Sequence, residues 1–121
     1  MDKGEIKAVV GSGNVFEDLG VSNSEESLAK AELANQIHNS IKSRRLTQKA
    51  AAEIMGIDQP KVSEIVRGKL SRYSIDRLLR YLLKLGRDVE IRVKKHVKRS
   101  KPTRLYVIGV DDKGKNKRIS A

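Results

Sequence analysis

Few side chains in this chain are equipped for covalent chemistry. There is no cysteine, which removes thiolate nucleophiles, disulfides and thiolate metal sites together. The two histidines, His38 and His96, are isolated. A lone helical histidine is more often a surface or packing residue than a metal ligand. Gly11, Ser12 and Gly13 are too short a run for a phosphate loop and lack the Gly-Lys-Ser/Thr context that such a loop needs. The expectation is therefore no catalytic residue, no metal and no cofactor. Charge is what remains. The chain of 121 residues holds 26 Lys and Arg against 15 Asp and Glu, a net +11. Residues 1–40 have a balance of −4, residues 41–91 of +6 and residues 92–121 of +9. An acidic front followed by a basic middle and a very basic end points to a polyanionic partner on one side. A solvated surface kept for solubility is the alternative for the tail taken alone.

The basic middle surrounds a stretch, residues 46–69, that reads as two short helices and a tight turn. Thr47 can cap the first helix and Gln48 opens it. Ala52 is small enough to let a second helix cross closely. Gly56 can take the positive φ that ends the first helix. Ile57 plugs the turn, Asp58 caps the second helix, and Pro60 stands in its first turn, where a missing N–H costs nothing. Val62, Ile65 and Val66 form the apolar stripe of that second helix, with Gln59, Lys61, Ser63, Glu64 and Arg67 on its other faces. Gly68 stops it. Together Ala52, Gly56, Ile57, Val62 and Ile65 set a crossing that projects the second helix from the surface, the geometry that enters a DNA major groove.

The flanking elements are built to support this unit. Upstream, Leu33, Ile37 and Ile41 recur every four residues, flanked by Leu28 and Ala34, which predicts a helix to about Arg44. Ser24 or Ser22 would cap it, with Glu25 and Glu26 in its first turn. Downstream, Ser74 caps a helix whose apolar face holds Ile75, Leu78, Leu79, Leu82, Leu83 and Leu85, ended by Gly86. Residues 88–94 then alternate polar and apolar, a strand signal, and residues 105–110 are a second candidate. The two would form a hairpin with a long loop, or the first would pair with its copy in another subunit. The predicted divisions are a flexible segment at 1–23, where Phe16 is expected to staple onto the domain, a helical domain at 24–87, strands or a dimerisation element at 88–110, and a disordered basic tail at 111–121. No apolar run approaches the roughly 20 residues needed to span a bilayer, and the N-terminus does not resemble a secretory signal. No membrane association and a cytoplasmic location are expected.

The pattern L-T-Q-x-x-x-A-x-x-x-G-x-x-Q-x-x-V-S-x-I-x-x-G, carried by Leu46, Thr47, Gln48, Ala52, Gly56, Gln59, Val62, Ser63, Ile65 and Gly68, resembles the phage-repressor helix-turn-helix of the Xre family. Over residues 15–93 the chain further resembles the HigA-like antitoxin branch, through Val15 to Gly20, Ala29 to Ala34, Gln59 to Ser63 and Leu85 to Ile91. The resemblance implies a mainly α, lambda-repressor-like bundle of about four to five helices with a short C-terminal β-strand or hairpin. It implies base reading by Gln59, Lys61, Ser63 and Glu64, although Glu64 is equally placed to pair with Lys61 or Arg67. Gln59 can bond an adenine edge with both ends of its amide. Gln48 matches a phosphate-binding position at a helix N-terminus. Arg44, Arg45, Lys49, Arg67, Lys69 and Arg72 are phosphate candidates as a set around the reading helix. The segment after Lys95 departs from the family pattern.

Three functions follow as expectations. The first is a sequence-specific, autoregulatory repressor that binds operator DNA as a homodimer, and that serves as the antitoxin of a toxin–antitoxin pair if a toxin is encoded beside it. The second is a protein-binding module that mainly neutralises a toxin nuclease through the acidic front. The third is an RNA-binding protein that uses the basic end, for which Tyr106 is the one nearby stacking residue.

Overall fold

A computed structural model describes residues 23–97, 100–110 and 116–117. Among these residues four helices follow one another: α1 (Asn23–Ser43), α2 (Gln48–Met55), α3 (Gln59–Val66) and α4 (Ile75–Lys84). A short antiparallel pair closes the chain, with β1 (Gly109–Val110) against β2 (Asn116–Lys117) and Gly109 opposite Lys117.

Local chemistry explains most of the boundaries. The Thr47 hydroxyl accepts from the Ala50 N–H at 3.0 Å, and the Asp58 carboxylate accepts from the Lys61 N–H at 3.0 Å. The Ser74 hydroxyl does the same for Arg77 at 3.3 Å. Each such cap is worth about 1 kcal/mol. Gly56 ends α2 at φ 76°. After α3, Gly68 at φ 80° lets the Lys69 N–H reach back to the Glu64 carbonyl at 2.9 Å. The first helix ends in the same closed turn without a glycine. Arg45 takes φ 56°, and the Leu46 N–H bonds the Ile41 carbonyl at 3.0 Å. A side chain in that conformation costs about 1–2 kcal/mol. α1 begins one residue before Ser24, which therefore lies inside the first turn and is not its cap; Ser22, the other candidate, lies outside the described residues.

The core is the meeting of the predicted stripes. Leu33, Ile37 and Ile41 of α1 pack with Ala51, Ala52 and Met55 of α2, Val62 and Ile65 of α3, and Ile75, Leu78, Leu82 and Leu85 of α4. Two tyrosines complete it: Tyr73 and Tyr81 are both buried. Leu28 and Leu83, expected to share the apolar faces, are instead exposed. Polar pins hold the helix ends together. The Arg87 guanidinium donates to the hydroxyls of Ser40 at 2.7 Å and Ser43 at 3.1 Å, tying the end of α4 to the end of α1. Arg44 donates to the Leu85 carbonyl at 3.0 Å, and Lys84 donates to the Met55 carbonyl at 3.4 Å. In both places a cation meets the free carbonyls of a helix C-terminus, where the backbone dipole favours it.

The C-terminal expectations need correction. Residues 88–94 form no strand, and Ile91 and Val93 are 77% and 94% exposed. Alternation alone cannot form a strand without a neighbour to bond its backbone, and none is found among the described residues. The predicted second strand is reduced to β1, and its partner is residues 116–117 instead of 88–94. Residues 105–110 lie along α1. The Leu105 N–H donates to the Glu25 carboxylate at 3.0 Å, and Leu105 and Val107 pack on the core. Gly109 sits so close to Gln36 and Glu32 that a Cβ there would overlap the Gln36 amide. Glu32 is consequently buried, and its carboxylate accepts from Gln36 Nε2 at 2.6 Å. The expectations of a flexible start at 1–23, a Phe16 staple and a disordered end fall on residues outside the described ones, apart from Asn23, which opens α1, and the paired 116–117.

Candidate nucleic-acid interface

Helix α3 is the natural starting point for the interface because its buried side is accounted for. Val62 and Ile65 are inside the core. At about 100° per residue, the direction opposite these two is taken by Pro60 and Arg67, flanked by Ser63, Gln59 and Glu64. The accessibilities agree: Gln59, Pro60 and Arg67 are exposed, while Ser63 and Glu64 are half-buried. Lys61 falls at the edge of this face and is half-buried. The outward surface is therefore Gln59, Pro60, Ser63, Glu64 and Arg67. Helical geometry moves Arg67 to its centre, a place that sequence position alone did not suggest. Its guanidinium Nε donates to the Ser63 carbonyl at 3.3 Å, laying the side chain along the helix.

The structure gives Glu64 a partner other than Lys61 or Arg67. Its Oε1 accepts from the Tyr73 hydroxyl at 2.6 Å and from Arg72 at 2.9 Å. Tyr73 is buried behind α3, and its hydroxyl also lies 3.5 Å from the Lys61 carbonyl. The loop after α3 is thus tied to that helix through one carboxylate oxygen. This explains why Tyr73 is in the core although its tip is polar: the ring fills space and the hydroxyl has a charged acceptor. The Arg77 guanidinium stacks 5.5 Å from the Tyr73 ring and donates to the Tyr81 hydroxyl at 2.9 Å. The Tyr73 hydroxyl, followed by the Arg72 charge, holds the Glu64 carboxyl below its ordinary value of 4.5. Burial, followed by the Glu64 bond, pushes the Tyr73 phenol up.

A carboxyl with a lowered folded-state pKa contributes stability above its unfolded value of 4.5 and loses it as pH falls through the folded value. Tyr73→Phe removes the larger cause. A carbon-detected NMR titration is expected to show the Glu64 pKa climbing toward 4.5, with the acid limb of the stability profile moving the same way. An unchanged Glu64 titration would mean that the hydroxyl does not carry the shift.

The phosphate candidates fall into two groups. Arg44, Arg45 and Lys49 are exposed at the junction of α1 and α2, with Gln48 as the first residue of α2 and half-buried. The N–H groups of that first turn have no helical partner, and the helix dipole is positive there. Arg67, Lys69 and Arg72 are exposed at the other end, after α3. Besides Arg67, which bonds the Ser63 carbonyl, two are already engaged. Arg44 holds the Leu85 carbonyl, and Arg72 is paired with Glu64. No group of three or more His, Cys, Asp or Glu able to hold a metal occurs among the described residues. No described helix is long and apolar enough to cross a membrane.

The comparisons with known proteins fall on this same unit. The profile of a family described as a helix-turn-helix domain matches residues 15–94. A solved structure assigned to the XRE family of transcriptional regulators superposes with a TM-score of 0.69 at 37% sequence identity, covering 74% of this chain and 100% of that one. No curated protein matches the sequence. With the family profile spanning α1 to α4 and the solved relative covered along its whole length, the chain belongs to the XRE-type helix-turn-helix family.

Proposed function

We propose that this helix-turn-helix protein is a DNA-binding transcriptional repressor that acts as a homodimer on the upstream region of its own gene. The observation that carries the proposal is the outward face of α3, where Gln59, Pro60, Ser63 and Arg67 stand clear of the core beside exposed cations at both ends of the motif. Gln59 and Lys61 are assigned to base edges, with Ser63 beside them. Glu64 is given the lesser share because its Oε1 is held by Tyr73 and Arg72. Gln48, Arg44, Arg45, Lys49, Arg67, Lys69 and Arg72 are assigned to phosphates. The proposal includes no catalytic chemistry.

One such motif covers only a few base pairs, so two copies on a palindrome are expected. The alternation at residues 88–94 is the surface proposed to pair with a second copy, because it offers exposed Ile91 and Val93 and a backbone that pairs with no strand among the described residues. The test is sedimentation of the full chain with a duplex spanning its own upstream region, at stated salt. Two chains per protected palindrome are expected. One chain per site, with a monomer in the free protein, would refute the dimer.

An antitoxin of the HigA-like branch is the second function proposed. It is supported by the pattern resemblance at Ala29 to Ala34 and Leu85 to Ile91. The acidic start of α1 is a weaker surface for a basic nuclease than the sequence suggests, since Glu25 bonds Leu105 and Glu32 is buried beneath Gly109. A small basic nuclease-like gene beside this one, with its product co-purifying, is the expected observation for that function.

A further inference from the structure

The family match ends at residue 94, and the chain beyond is chemically one-sided. Residues 91–110 carry seven Lys and Arg and no Asp or Glu. Of these, Arg92, Lys94, Lys95, Lys101 and Arg104 are described and exposed. This segment is not a free tail. Its first end leaves α4 at Arg87, which is bonded to Ser40 and Ser43 at the C-terminal end of α1. Its second end is fastened at Leu105 to Glu25, near the N-terminal end of α1. Those two anchors lie about 27 Å apart along the helix at about 1.5 Å per residue. Between them, His96 Nε2 lies 2.7 Å from the Lys101 carbonyl.

The origin of this loop adjoins the interface already described. Arg44 donates to the Leu85 carbonyl, two residues before Arg87, and Arg45 follows it in the turn that leads to Gln48 and Lys49. Positive charge therefore runs from the start of α2, across the end of α1, into the loop. Inside the loop, Arg92 pairs with Glu90, whereas Lys94, Lys95 and Lys101 have no ion pair among the described residues. Like charges this dense repel one another, and a polyanion relieves the repulsion.

We infer that residues 91–97 and 100–104, with Lys94, Lys95 and Lys101 as the contacting side chains, form a second phosphate-binding element, which engages the backbone of duplex DNA outside the half-site read by α3. The inference rests on the DNA-binding role proposed above. Duplex DNA is favoured over single-stranded RNA because RNA recognition relies on open aromatic faces for stacking. The one aromatic in the segment, Tyr106, has the Arg104 guanidinium 5.0 Å over its ring.

The test uses the full chain and a variant in which Lys94, Lys95 and Lys101 are all changed to Gln. Affinity is measured from about 50 to about 200 mM salt on three probes: a random-sequence duplex, an operator duplex extended beyond the protected site, and single-stranded RNA. Each phosphate contact contributes about 0.9 to the slope of log affinity against log salt. Loss of three contacts should flatten the slope by about 2.7 on both duplexes. The salt-induced loss of affinity over that range then shrinks by about 40-fold. The ratio of operator to random affinity should be unchanged, because phosphate contacts carry no sequence information. A triple Lys→Arg variant should keep the wild-type slope. Trimming the operator duplex to the half-sites read by α3 should erase the difference between variant and wild type. An unaltered slope on duplexes, or an effect confined to RNA, would overturn the inference. Failure of the α3 proposal reads differently: the wild-type protein itself would show no preference for operator over random duplex.

Discussion

Gln59→Ala is expected to weaken binding to the operator by about 1–3 kcal/mol while leaving random-sequence duplex nearly unaffected. Gln59 is the first residue of α3 and is exposed, so its side chain makes no contribution to the core. The Asp58 carboxylate caps the helix ahead of it, bonding the Lys61 N–H, and this bond survives the substitution. The helix should remain folded, and the loss should register as lost amide bonds to a base edge. The salt dependence should stay the same, because no phosphate contact is removed. Titration of both duplexes by fluorescence anisotropy checks the prediction. An equal loss on the two would assign Gln59 to the backbone instead of a base.

The largest effect on stability is expected at Leu78. It is completely buried on the face of α4 that meets α1, beside Leu33, Ile37 and Leu82. Leu78→Ala removes apolar contacts and leaves a cavity, costing about 2–5 kcal/mol. A small domain has only about 5–15 kcal/mol in all, and its Tm should fall by at least about 10 °C. Leu83 provides the internal comparison. It is the same residue type on the same helix but is 55% exposed. Leu83→Ala should stay within about 0.5 kcal/mol. Calorimetry of the two variants side by side decides the matter, and comparable losses would mean that α4 buries a different face.

The contrast between these two leucines shows where the sequence was informative. Periodicity located α4 and most of its stripe. It could not exclude Leu83, because the apolar face is wider than the contact that α1 and α2 make with it. Features governed by neighbours in the chain were legible: the caps at Thr47, Asp58 and Ser74, the stop at Gly56, and the α1 repeat of Leu33, Ile37 and Ile41. Each depends on groups within one helical turn. Features set by distant partners were not legible. Arg87 meets Ser40 and Ser43, Arg44 meets Leu85, and Leu105 meets Glu25. No spacing announces such pairings.

The same distinction applies within the interface. Gln59 and Arg67 stand exposed because the apolar positions Val62 and Ile65 orient the helix. The role of Glu64 depended on Tyr73, whose position in the core does not follow from helical period because it precedes α4. A buried tyrosine shortly after the reading helix, with an acid inside that helix, is the signal that would have suggested the bond. The strand expected at residues 88–94 does not form within the single chain, for a related reason. Alternation states which side chains a strand would bury, and only a partner edge decides whether it forms.

The central claim is that α3 is the surface that meets DNA, with the start of α2 beside it. Amide chemical shifts of the labelled full chain, followed during titration with duplex DNA from its own upstream region, test this most directly. The account predicts that the largest changes fall on residues 47–49 and 58–64, with smaller ones at 94–104 and none through the first half of α1. Changes concentrated in the C-terminal segment, with the amides of Gln59, Lys61 and Ser63 unmoved, would contradict it.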